Sequence, residues 1–143
     1  MNKAFFDTNL WIRYILRDNE AQFKIVRMLL EQNEVGSLKI YSSAVIFLEL
    51  AYVLKKVYKF LFQEILEVLN GIRATKQLII LTDSDLDLAL KYFKTYQLKF
   101  SDCLIAAQIP KGLTLVSFDK DFKKIKEINF QTPAELLSSI KTN

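Results

Sequence analysis

The chain contains no histidine. That absence excludes a Ser-His-Asp triad, a Cys-His pair, a histidine general base and any His-ligated zinc site. One cysteine is present, Cys103, so no intrachain disulfide can form. It precedes Leu104-Ile105-Ala106-Ala107, an apolar helical setting, and reads as a small core hydrophobe. A lone thiol accords with a cytoplasmic location. Three glycines and two prolines are too few for an all-β chain built on tight turns. Long apolar runs are also missing. The most apolar stretch, residues 44–54, is interrupted by Glu49. It falls far short of the roughly 20 residues a membrane span needs. The apolar run at residues 4–6 is too short for a signal peptide. A soluble protein without a membrane partner is expected. Its chemistry must run on carboxylates, hydroxyls, lysines or a cofactor.

What is present suits one compact domain over residues 1–143, with 51% hydrophobic residues for a core and 25% charged. The formal net charge of +4 leans toward a polyanionic partner. Strand signals fall at residues 3–6, 38–41, 78–81, 114–117 and, at an edge, 128–130. Helical patterns cover 10–17, 20–34, 44–57, 60–69, 84–96 and 102–109. A helical turn follows at 121–125, and Pro133 opens a last helix. Ser42, Ser43 and Ser101 read as helix N-caps, as does Thr82 or Asp83; Asn70-Gly71 reads as a helix stop. Short apolar strands alternating with helices predict an α/β fold, with helices on both faces of a central, mostly parallel sheet.

Four acids are out of place. Glu49 shares its helix face with Val45, Ile46, Tyr52 and Val53. Asp102 faces Ile105, Ala106 and Ile109. Asp7 follows Ala4-Phe5-Phe6, and Asp119 follows Leu115-Val116-Ser117-Phe118. Each has an ordinary alternative: Asp7 as a helix cap, Asp102 as a first-turn acid, Glu49 paired with a distant cation, Asp119 in a turn. No Arg or Lys shares the helix face of Glu49 or Asp102 among their nearest neighbours, and a buried unpaired carboxylate is costly. One solution serves all four. They converge and share divalent cations, Mg²⁺ or Mn²⁺, which take oxygen ligands. Asp7 and Asp119 both follow predicted strands, which places them at the carboxyl edge of the sheet.

These motifs resemble a PIN domain of the short, stand-alone kind found as toxins of toxin–antitoxin pairs. The elements that carry the resemblance are Phe5-Phe6-Asp7-Thr8-Asn9, the Glu49 helix, residues 100–107 (Phe-Ser-Asp-Cys-Leu-Ile-Ala-Ala), residues 116–122 (Val-Ser-Phe-Asp-Lys-Asp-Phe) and the closing Thr132-Pro133-Ala134-Glu135-Leu136-Leu137. They span essentially the whole chain. The resemblance implies a three-layer α/β/α fold and an acidic pocket binding Mg²⁺ or Mn²⁺. It implies endonucleolytic cleavage of RNA through a metal-activated water. It makes Asp7, Glu49, Asp102 and Asp119 the catalytic, metal-holding acids, with Asn9 and Ser117 in support. It also implies a homodimer and a small antitoxin protein. One departure stands out: the family often has Asn where Asp119 stands, with Asp-Phe a few residues on. Asp119 and Asp121 therefore compete for the fourth place. Asp119 is favoured because it lies closer to the strand end, with Asp121 secondary.

Several cations lie close to these acids in sequence. Arg13 and Arg17 share a face of the first helix; Lys120, Lys123, Lys124 and Lys126 follow Asp119. They are candidates for contacting RNA phosphates. Tyr14, Tyr92 and Tyr96 are candidate protein contacts, with core packing the more ordinary role for each. Rival readings are an RNA-processing PIN nuclease outside a toxin pair, a non-catalytic PIN-like module, and a haloacid-dehalogenase-like phosphatase on Asp7. The last wants an acid where Asn9 stands and a Gly-Asp pair that the chain lacks.

Overall fold

The computed structural model describes residues 2–141, so Met1, Thr142 and Asn143 of the expected domain lie outside the described residues. Five strands form one sheet: β1 (Asn2–Phe6), β2 (Leu38–Ser43), β3 (Ile79–Leu81), β4 (Thr114–Val116) and β5 (Asn129–Gln131). Their spatial order is β3-β2-β1-β4-β5, and every pairing is parallel. The expected mostly parallel sheet is thus wholly parallel. Seven helices surround it: α1 (Thr8–Leu16), α2 (Glu20–Glu34), α3 (Ala44–Lys56), α4 (Phe62–Arg73), α5 (Leu86–Tyr96), α6 (Phe100–Ala107) and α7 (Pro133–Lys141). The result is a three-layer α/β/α fold.

The central strand shows why this sequence builds this sheet. Ala4, Phe5 and Phe6 are wholly buried, because β1 is paired on both edges and covered on both faces. A continuous apolar run, rather than an alternating one, is what such a strand requires. The order of strands reverses at β1. The chain leaves β1 toward β2 on one side and later crosses to β4 on the other. Crevices at such reversals, beyond the carboxyl ends of the strands, are where open parallel sheets bind ligands. The crevice here lies between the ends of β1 and β4.

Several local boundaries differ from expectation. β2 runs on through Ser42 and Ser43, which are buried; Ser43 stands at the N-cap of α3 but makes no capping hydrogen bond. α4 passes through Gly71 to Arg73, because Ile72 is drawn into the core and Gly71 keeps an ordinary φ. A glycine costs a helix only about 1 kcal/mol against alanine, and burial of an isoleucine outweighs that. Asp85, rather than Thr82 or Asp83, caps α5 by accepting from the Leu88 N–H at 3.0 Å. Lys99, rather than Ser101, holds the N-cap position of α6. Tyr92 is buried in the core, the ordinary role for such a side chain, and half-buried Tyr96 donates to Glu127 at 2.5 Å. Tyr14 stacks on Phe23. No helix among the described residues is long and apolar enough to cross a membrane.

Candidate active site

Asp7 is the first residue beyond β1. Its backbone N–H donates to the Val116 carbonyl at 3.0 Å, which ties it to the end of β4. Its Oδ1 accepts from the Thr8 N–H at 2.8 Å, so it caps α1. Its Oδ2 accepts from the Ser117 hydroxyl at 2.7 Å. Ser117, wholly buried just past β4, in turn accepts from Asn9 Nδ2 at 3.0 Å and from the Asp119 N–H at 2.9 Å. Asn9 Oδ1 accepts from the Phe118 N–H at 3.3 Å. One small network therefore joins the start of α1 to the loop after β4.

Glu49 reaches the same crevice from α3, and three donors hold it. Thr8 Oγ1 donates to Oε1 at 2.6 Å, Ser101 Oγ donates to Oε2 at 2.8 Å, and Lys99 Nζ lies 3.1 Å from Oε2. The alternative in which Glu49 pairs with a distant cation is thus realised, by Lys99. Lys99 does not share its helix; it crosses from the start of α6. Helical spacing reports only neighbours on one helix, so nothing in the local pattern could have shown this pairing. Asp102, also on α6, accepts no hydrogen bond among the described residues, and only burial and neighbouring charges act on it.

These surroundings separate the acids electrostatically. Burial pushes the Asp7 carboxyl up to about 7; Asp102 and Glu49 add to the rise, while the Ser117 and Thr8 hydrogen bonds oppose it. Burial likewise pushes Asp102 up to about 6, with Glu49, Asp119 and Asp121 adding to the rise and Lys99 opposing it. Burial also pushes against ionisation of Glu49, but the bonds from Thr8, Ser101 and Lys99 outweigh it and hold the carboxyl below its usual value. Mutual repulsion alone would have raised Glu49 too. Loss of water is the larger effect, and hydrogen bonding decides which acid escapes it.

Asp7, Glu49, Asp102 and Asp119 line one cleft of about 240 Å³, with Thr8, Asn9, Arg13, Tyr58 and Lys99 between them. Asp119 Oδ1 accepts from the Asp121 N–H at 2.9 Å and caps the short 3₁₀ turn Lys120–Lys124. Asp121 faces outward, 3.8 Å from Lys124, and does not line the cleft. Of the cations expected to attend the acids, only Arg13 lines the cleft. It is pinned there by both oxygens of Asp18, at 2.8 and 2.9 Å, and by the Tyr58 hydroxyl at 3.1 Å. Arg17 pairs with Glu20 and lies over the Phe23 ring. Lys120 and Lys123 act instead on Glu135, and Lys123 and Lys126 border a separate hollow with Ile128 and Phe130. A larger cavity, about 660 Å³, lies among α1, α2 and α4. Its rim charges Arg27–Glu31 and Lys76–Glu34 are already paired, and none of the four cleft acids reaches it.

Among the described residues, no three acids stand close enough together to hold a metal ion between them. The donors nevertheless suit Mg²⁺ or Mn²⁺. They are all oxygens, and Asp102 carries a half-buried carboxylate without a hydrogen-bond donor. Mg²⁺ commonly keeps several waters and takes only one or two protein carboxylates. Asp7 and Asp102 fit that requirement: Asp102 accepts no hydrogen bond among the described residues, and each Asp7 oxygen accepts only one, whereas Glu49 Oε2 is held by both Ser101 and Lys99.

A profile of the PIN domain matches residues 4–128, and the chain belongs to the PIN-domain family, a family of nucleases. Solved structures share the fold. VapBC2 from Rickettsia felis, bound to a DNA fragment from their promoter, gives a TM-score of 0.63 at 20% identity, covering 91% of this chain and 98% of that one. PAE2754 from Pyrobaculum aerophilum gives 0.63 at 16% identity, over 99% and 91%. FitAcB from Neisseria gonorrhoeae gives 0.58 at 21% identity, over 92% and 98%. No curated protein sequence matches the chain.

Proposed function

We propose that this PIN domain is a Mg²⁺- or Mn²⁺-dependent endoribonuclease, the toxin of a toxin–antitoxin pair acting in the cytoplasm. The observation that carries the reading is the pair Asp7 and Asp102. Both are carboxyls withdrawn from water at the sheet's topological switch point. Both resist ionisation in the absence of a cation, and they face one cleft. Carboxyls withdrawn from water and crowded by one another's charge in one cleft favour a divalent cation between them.

A bound divalent cation would neutralise phosphate oxygens and lower the pKa of a coordinated water, which makes a histidine base unnecessary. Asp7 and Asp102 would hold it, with Asp119 reaching it through water. Ser117 and Asn9 fix the Asp7 carboxylate in one orientation. Glu49, ionised and anchored by Thr8, Ser101 and Lys99, adds a fixed negative charge to the same cleft. Arg13 is held by Asp18 and Tyr58, so it offers the RNA backbone a positive edge that does not move. Purified protein should cleave RNA with Mg²⁺ or Mn²⁺ and stop in EDTA. Full cleavage in EDTA would overturn the assignment.

The choice between Asp119 and Asp121 yields a second expected result. Asp119 lines the cleft and Asp121 does not. Asp119→Ala should therefore slow cleavage by about tenfold or more, with Asp121→Ala within about twofold of wild type. The reverse order would move the fourth acid by two residues. The antitoxin and homodimer readings draw support from apolar side chains left on the surface. Leu48 and Tyr52 on α3 and Phe62 on α4 are more than 60% exposed, and Leu86, Leu90 and Phe93 form a stripe on α5. Sedimentation showing a strict monomer at micromolar concentration would count against the dimer.

A further inference from the structure

We infer that Lys99 is the resident counter-cation of the acidic cleft: it holds Glu49 closed to metal and becomes a phosphate contact once a divalent cation displaces it. The inference rests on the metal-dependent reading above and goes beyond it by assigning a residue outside the acidic set.

Four observations carry it. First, among the described residues Lys99 is the one cation in the cleft that touches a site acid, at 3.1 Å from Glu49 Oε2; Arg13 is committed to Asp18 and Tyr58. Second, its position is not explained by helix capping. It stands at the N-cap of α6, the positive end of the helix dipole, where a cation is disfavoured, and it makes no capping hydrogen bond. Burial works against its charge, and Glu49 across the cleft, Asp102 on its own helix and Asp7 together favour it. Third, Glu49 is saturated by Thr8, Ser101 and Lys99, so the lysine must leave before Oε2 can take part in holding a metal. Fourth, the Lys99 side chain is about two-thirds exposed, so its ammonium lies on the solvent side of the acids, where a substrate arrives. An ammonium on a four-carbon stem is a mobile point charge with three donors, suited to such a transfer.

Exchange of a single for a double positive charge makes metal entry favourable. The lysine sets its threshold, because its ammonium repels a divalent cation entering between Asp7 and Asp102 and keeps Glu49 from joining them. Lys99 is therefore a positioning residue that couples metal loading to phosphate binding.

The test is calorimetric titration of RNA-free protein with Mn²⁺ at pH 8, where Asp7 and Asp102 are ionised, on wild type, Lys99→Met and Lys99→Arg. Lys99→Met should bind Mn²⁺ about tenfold more tightly than wild type, and Lys99→Arg should stay within about threefold of it. At saturating Mn²⁺, Lys99→Met should raise KM for RNA by about fivefold with kcat within about threefold, and Lys99→Arg should recover most of the loss. Unchanged or weaker Mn²⁺ binding by Lys99→Met overturns the inference while leaving the metal site standing. Absence of Mn²⁺ binding in wild type overturns the metal-dependent reading itself. The exposure of Lys99 makes both variants compatible with folding, and their melting temperatures check it.

Discussion

Asp7→Asn should abolish RNA cleavage, by on the order of a thousandfold, while the protein stays folded. The core around β1 is built by Ala4, Phe5 and Phe6 and does not depend on the carboxylate. What the substitution removes is the buried negative charge and one acceptor. Asp7 now accepts from Thr8 N–H on one oxygen and from Ser117 on the other. An amide can accept on only one side, so either Thr8 N–H or Ser117 meets an NH₂ group. The unfavourable contact offsets part of the relief gained by removing a buried charge. The melting temperature of the metal-free variant should therefore change by only a few degrees while cleavage and Mn²⁺ binding collapse together. Cleavage at the wild-type rate by Asp7→Asn would remove Asp7 from the chemistry.

In EDTA, the wild-type protein should melt higher at pH 5 than at pH 8. Asp7 has a folded pKa of about 7 and Asp102 of about 6, against an ordinary value of 3.8. Between those values the native state binds more protons than the unfolded chain, so stability falls as pH rises. The contribution is full below about pH 4 and is gone above about pH 7. A shift of this size on buried Asp7 is worth on the order of 4 kcal/mol; Asp102 is partly open to solvent and adds less. Glu49 works in the opposite sense. Its carboxyl is held low, so its contribution is lost as pH drops through its own titration range. The stability maximum should fall near pH 5 as a result. Mn²⁺ should stabilise more at pH 8 than at pH 5, because only the ionised acids hold it. A melting temperature that climbs from pH 5 to pH 8 without metal would contradict the burial of Asp7.

The placement of the four acids was legible because each breaks a pattern that its neighbours obey. Glu49 interrupts an apolar helical face, and Asp7 and Asp119 end apolar strands. The extent of α2, Glu20–Glu34, was legible for a related reason: a long amphipathic period bounded by a capping residue, here Asn19, is a local signal. What stayed hidden is non-local. The partners of Glu49 lie 41, 50 and 52 residues away, at Thr8, Lys99 and Ser101, and no window of sequence contains them together. The strand order is hidden for the same reason, since parallel neighbours are set by crossovers rather than by turns. Lysines 120, 123 and 124 show how sequence closeness and cleft lining can part. They are close to Asp119 along the chain, yet the 3₁₀ turn carries them away from the cleft.

The Ser117 hydroxyl has one hydrogen and two lone pairs, and all three are engaged. The hydrogen goes to Asp7, and the lone pairs take the Asn9 amide and the Asp119 N–H. Such an oxygen cannot reverse its role. A proton arriving on Asp7 cannot point at Ser117, because no lone pair is left there to receive it; it must settle elsewhere on the carboxyl. The same three bonds therefore persist whether Asp7 is neutral or charged. Asp7 can take up and release its proton while its neighbours keep their places, so the charge of the site is adjustable and its shape is not.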